Sequence, residues 1–155
     1  MDDTLFPEEL DEIEDDLVDY DDDEIIGYKE APLFDSSIGD FVYDGHGRII
    51  TANGVTAWAN WCENILATDR YNHDSYTDDI GIDYEEIFRI SESQEEAETL
   101  LETEITDALM CDPYGRTQYV QGIEFEWTGP DEVLVSIEVV GMDNELANID
   151  IKLAA

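Results

Sequence analysis

Basic side chains are nearly missing from this chain. Six of them, Lys29, Arg48, Arg70, Arg89, Arg116 and Lys152, stand against 42 carboxylates, for a formal net charge of −36 over 155 residues. A field of that sign repels nucleic-acid phosphates and anionic lipid, and it favours basic partners or cations. Cysteine is scarce too. Cys62 and Cys111 are too few and too scattered for a disulfide framework, so a reducing compartment is expected. No apolar run approaches the roughly 18 residues of a membrane span. The opening Met1-Asp2-Asp3 lacks the positive region and apolar stretch of a secretory signal.

The signatures of catalysis are absent as well. There is no Gly-x-Ser-x-Gly elbow, and Ser36, Ser37, Ser75, Ser91, Ser93 and Ser136 fall in loop, cap or strand contexts. Cys62 lies within a helical apolar stripe, which reads as core rather than nucleophile. His46 and His73 sit in expected turns and share no zinc-ligand spacing with the two cysteines. Gly45 and Gly47 lack the rest of a phosphate-binding fingerprint. Glu102 and Glu104 lie on a helix outside its apolar stripe, which reads as a solvated face rather than a catalytic pair. One calcium-like spacing, Asp19, Asp21, Asp23 and Glu30, has Glu24 where the loop needs glycine and Pro32 where a helix should leave. No metal, cofactor or enzymatic activity is therefore expected.

What is present suffices for one domain with an arm. Apolar residues make up 43% of the chain, enough for a real core. Residues 1–30 carry 15 acids and one lysine, while residues 31–155 carry 27 acids and five bases. The arm is thus only part of the acidity, and salt that screens charge over a few ångströms makes such surfaces tolerable. Within residues 1–30, Leu5, Phe6, Leu10 and Ile13, followed by Leu17 and Val18, recur at roughly helical spacing. Two readings stay open for it: an amphipathic helix that folds on a partner, or an acidic disordered tail.

Residues 31–155 read as the folded domain. Phe41-Val42-Tyr43 and Arg48-Ile49-Ile50 flank Asp44-Gly45-His46-Gly47, which predicts a hairpin. Asn53 stands as an N-cap before the stripe Val55, Trp58, Ala59, Cys62, Ile65 and Leu66. Residues 68–82 read as a loop, and Asp83 with Glu86 starts a short helix carrying Ile87 and Phe88. Ser91 with Gln94 predicts the cap of a longer helix with the stripe Ala97, Leu100, Leu101, Ile105, Ala108 and Leu109, ended by Asp112-Pro113.

From there the apolar period changes from 3.6 to 2. Ile123, Phe125 and Trp127 form one face; Val133, Val135, Ile137 and Val139 the next; Ala147, Ile149, Ile151 and Leu153 the third. Three consecutive half-buried strands make an antiparallel meander. The predicted class is α+β, with helices packed on a small C-terminal meander sheet and an acidic N-terminal arm.

From about Asp40 to Leu153 this order resembles the sheath-initiator, or baseplate wedge, family of contractile tails, whose nearest branch is the XkdS-like proteins of defective prophage tails. The residues that carry the resemblance begin with Gly47-Arg48-Ile49-Ile50-Thr51, then Gly54 leading into the Trp58–Leu66 helix. That helix closes on Asn64-Ile65-Leu66-Ala67-Thr68-Asp69-Arg70, and a loop from Tyr76 to Gly81 follows. The Glu95–Leu109 helix and the three-strand finish complete it. The family's Glu-Pro-Arg motif should follow the last helix, where Asp112-Pro113 and then Arg116 stand, with Asp for Glu and two extra residues.

The resemblance implies a structural protein of the virion or tail-particle baseplate, in the host cytoplasm during assembly. It implies six copies per particle around the tail tube, touching baseplate wedge proteins through Asp112, Pro113 and Arg116. It also implies that tail sheath protein donates chain ends as added strands. The expected acceptors are 133–140 and 147–153, with Val133, Val135 and Ile137 on the first and Ile149, Ile151 and Leu153 on the second. The family is sometimes labelled lysozyme-like, but no catalytic residue carries over. A second reading, from charge alone, is an acidic nucleic-acid mimic that fills the groove of a basic protein.

Overall fold

A computed structural model describes residues 28–71 and 80–154. The first unit is a nest of short antiparallel pairs. β1 (Ala31–Pro32) pairs with β4 (Thr51–Ala52), and β2 (Phe34–Asp35) with β3 (Asp40–Phe41). Tyr43 bridges Ile49 beyond them, so the expected hairpin is present. Its turn is built by Asp44, whose Oδ1 accepts from the backbone N–H of His46 at 2.8 Å and of Arg48 at 2.9 Å. Gly47 supplies the left-handed step at φ +77°.

Three helices follow: α1 (Gly54–Ala67), α2 (Tyr84–Ile90) and α3 (Gln94–Met110). Asn53 holds the N-cap position of α1 but makes no side-chain capping bond. Asp83 caps α2 as its spacing predicts, accepting from Glu86 N–H at 3.1 Å. The expected Ser91 cap of α3 is corrected to Ser93, whose Oγ accepts from Glu96 N–H at 3.2 Å. Ser91 is occupied elsewhere: its hydroxyl and N–H both close the end of α2 on Ile87 C=O. With two Ser residues two apart, the one with Glu three residues on wins the cap.

β5 (Thr117–Gly129), β6 (Glu132–Gly141) and β7 (Leu146–Ala154) form one antiparallel sheet in the order β5-β6-β7. Pro130-Asp131 makes the first turn, and a 3₁₀ turn, Met142–Asn144, the second, with Asp143 and Asn144 at φ 58° and 57°. The class is α+β. β6 is the central strand, which corrects the expectation that 133–140 offers a free edge. Both of its sides are already bonded.

The helices cover one face of the sheet, α3 against β5 and α1 against β7. Trp58, Cys62 and Leu66 of α1 meet Leu101, Ile105 and Leu109 of α3 and the inward row of β6. Each fully buried side chain of this size contributes about 1.5–3 kcal/mol, so this layer holds the sheet flat against the helices. Trp58 Nε1 donates to Thr117 Oγ1 at 3.0 Å, which satisfies its polar edge inside the core. At Gly141 Tyr28 and α1 come so close that a Cβ would stand 2.5 Å from Tyr28 Oη and 2.8 Å from the Trp58 ring. The other face of the sheet carries no helix among the described residues and is polar: Glu124, Ser136, Glu138, Asn148 and Asp150 line a shallow depression of about 320 Å³ across all three strands.

Candidate functional site: the free sheet edges and the α3–β5 corner

The residues expected to contact a wedge protein form an internal brace. α3 ends at Met110, and the chain turns at Asp112, where Gly115 N–H closes on Asp112 C=O at 3.0 Å. The Asp112 carboxylate accepts from Arg116 Nε at 2.9 Å and Nη2 at 3.1 Å, and from the backbone N–H of Tyr114 and Arg116. The guanidinium lies between the Trp61 ring, 5.6 Å away, and the Tyr114 ring, 5.2 Å away. Asp112 is 8% exposed and Arg116 4%. Their charged groups are thus spent on each other within the corner. Pro113 and Tyr114 form the exposed skin of this corner.

The expected strand residues are likewise inside. Val133 and Val135 are fully buried and Ile137 is 2% exposed, all on the central strand. Ile149 and Leu153 are buried under the helices, and Ile151 is half-buried beside them. Their side chains hold β7 in place, and of this row only the half-buried Ile151 keeps an open flank beside the strand's outer backbone. Leu5, Phe6, Leu10 and Ile13, like Asp19, Asp21 and Asp23 of the calcium-like spacing, lie outside the described residues; Glu30 is exposed.

Which backbone groups face out follows from one bond. Antiparallel pairs alternate between those that exchange hydrogen bonds and those that do not. Gly141 N–H donates to Glu145 C=O at 2.8 Å, one step beyond the Val140–Leu146 pair, so those two residues form a bonded pair. Counting along the register, Val139–Ala147, Ile137–Ile149, Val135–Ile151 and Val133–Leu153 are bonded. Leu146, Asn148, Asp150 and Lys152 therefore turn N–H and C=O away from β6. By the same alternation, Leu134, Ser136 and Glu138 bond Glu126, Glu124 and Gly122, so Ile123, Phe125 and Trp127 turn outward on β5. Among the described residues no strand pairs with either outer edge.

Other candidate groups are accounted for structurally. Cys62 has no exposure, and burial pushes its thiol up to about 12, which leaves it inert at neutral pH. Glu104 lies 3.0 Å from Arg70 Nη1, and Arg70 Nε donates to Gly81 C=O at 3.1 Å, which ties the α1–α2 connection to α3. No group of three His, Cys, Asp or Glu that could hold a metal occurs among the described residues, and no described helix is long and apolar enough to cross a membrane. An apolar strip was missed at the sequence level: Phe41, Tyr43 and Ile49 are exposed together on the N-terminal hairpin, with Phe34 packed edge-on to Phe41. It leads to a groove of about 550 Å³ lined by Pro32, Phe34, Phe41 and Ala67.

Comparison with known families decides what this layer belongs to. The family model for the contractile injection system sheath initiator matches residues 31–144. The chain belongs to the sheath initiators. A search of curated proteins returns no match. The matched span takes in the N-terminal hairpins, all three helices and the sheet through the β6–β7 turn. Sheath initiators are structural components of a contractile particle, placed on its tail or baseplate and acting with sheath and baseplate components. The braced corner and the one-sided sheet described above are thus parts of an assembly protein.

Proposed function

We propose that this sheath initiator joins baseplate wedge proteins to the first sheath ring around the tail tube, in six copies, and templates sheath growth by accepting strands from sheath subunits. The observation that supports this is the three-stranded sheet whose two outer edges are unpaired among the described residues. An unpaired edge presents a row of N–H and C=O groups that an incoming chain satisfies, while its alternate side chains meet the two faces of the sheet.

The wedge contact falls on groups that point outward: the strip Phe41, Tyr43 and Ile49, and the Pro113–Tyr114 skin of the corner. Residues 31–155 act as the assembly domain. Residues 1–30 form the arm, with Leu5, Phe6, Leu10 and Ile13 as its apolar anchor on a partner. Assembly takes place in the host cytoplasm before the particle is complete.

Imaging particles made without this protein tests the reading. Baseplates bearing tubes but no sheath are the expected outcome. Sheaths of normal length on such particles would refute it.

A further inference from the structure

We propose that β7, not β5, is the accepting edge, and that its occupant is an extended segment of another protein that alternates apolar with cationic side chains. The inference rests on the strand-addition reading and adds the edge and the chemistry of the donor. The two edges differ in regularity. The register of β5 against β6 is broken between Thr117 and Tyr119, between Val120 and Gly122, and between Trp127 and Gly129. Bulges bend and twist an edge and are a common guard against strand addition. β7 has none: its nine residues, Leu146–Ala154, pair with β6 one for one. It offers an unbroken ladder through Leu146, Asn148, Asp150 and Lys152.

The side chains beside that ladder define the occupant. On the helix-covered face, Ile151 is half-buried while its neighbours Ile149 and Leu153 are buried. Apolar side chains of an added strand would lie against that open flank and continue the core. On the other face stand Asn148 and Asp150, with Glu138 across from Asn148 and Glu124 further in. Lys152 is already paired with Glu132. Side chains on this face of an added strand therefore meet the Asp150 carboxylate directly, with Glu138 one strand further in, and cations complement that field. A second copy of this chain is a poor occupant, since two molecules of charge −36 repel and edge-to-edge pairing would set carboxylate against carboxylate.

Amide exchange on the full chain, followed by NMR, tests this with two synthetic nine-residue peptides, one alternating leucine with lysine and one alternating leucine with glutamate. The lysine peptide should slow exchange at Leu146, Asn148, Asp150 and Lys152 by about tenfold or more, and the glutamate peptide should leave them unchanged. Slowing at Ile123, Phe125 and Trp127 instead would overturn the choice of edge while leaving strand addition standing. Equal slowing by both peptides would overturn the charge pattern. Absence of slowing with either, or the same four amides already slow without peptide, would overturn the inference, and the particle images described above would still judge the broader reading alone. Asp150→Pro supplies the internal control. Its N–H faces away from β6, so the variant should fold with an unchanged β6–β7 ladder and lose the peptide effect; collapse of the fold would overturn the edge geometry.

Discussion

Removing the Asp112 carboxylate separates a brace from a docking contact. Asp112→Ala takes away the acceptor of four donors: the N–H groups of Tyr114 and Arg116 and two guanidinium nitrogens. The Arg116 charge would then remain at 4% exposure between two aromatic rings with no anion beside it. Breaking a buried ion pair from one side costs about 3–5 kcal/mol. For a domain of this length each kcal/mol moves the melting temperature by about 2–4 °C, so Asp112→Ala should melt about 6–20 °C lower. Thermal unfolding followed by circular dichroism measures the shift, and urea unfolding the free energy. Pro113→Ala, on the exposed skin of the same corner, should stay within about 0.5 kcal/mol of the parent. Replacing both partners, Asp112→Leu with Arg116→Met, should recover much of the loss, because no lone charge is left inside. If Asp112→Ala keeps the parent's stability within about 1 kcal/mol and yet abolishes sheath formation, the pair is a partner contact and the brace is refuted.

Four further outcomes follow from the packing and the charge. Gly141→Ala should cost about 1–3 kcal/mol through overpacking against Trp58 and Tyr28, and Tyr28→Phe, which removes the nearest atom, should recover part of it in a double-mutant cycle. Cys111 is exposed and Cys62 buried, so Ellman's reagent should titrate one thiol in the native chain and the second only on unfolding. Because burial raises the Cys62 thiol to about 12, the folded chain keeps that proton where the unfolded thiol, ionising near about 8.5, loses it. Stability should fall as pH rises from about 8.5 toward 12, by up to about 1.4 kcal/mol per pH unit, and Cys62→Ala should flatten that fall. Self-repulsion at −36 predicts a melting temperature that climbs with salt as the screening length shrinks from about 30 Å at 0.01 M to about 3 Å at 1 M; a flat response would refute self-repulsion as a cost to this fold.

The elements that bury a face were legible in the sequence. Trp58, Cys62 and Leu66, or Leu101, Ile105 and Leu109, repeat at helical spacing because each turn must return an apolar group to one side. The alternation in Val133, Val135, Ile137 and Val139 marks a strand for the same reason. Of the two strands expected to offer an edge, 133–140 does not, because three strands in a meander place the middle one in the middle. The parity was also hidden: the apolar row 147, 149, 151 and 153 drew attention, while the backbone groups free to bond belong to the polar row between them. Asp112 and Arg116 show a different limit. Four residues apart in a turn, they can point together or apart, and the Trp61 ring that flanks the guanidinium arrives from a helix more than fifty residues earlier. The exposed strip of Phe41, Tyr43 and Ile49 could not be told from core, because a short apolar hairpin reads the same either way.

β7 lies at an edge of its sheet, and that has a bearing on when a ring can start. A ladder extended from its end rung loses nothing already made. On the strand-addition reading, the folded acceptor needs no opening step, and the cost of becoming ordered falls on the donor segment. The pace of the first ring would then be governed by how readily a sheath subunit releases its chain end, while the baseplate side stands ready from the moment it folds.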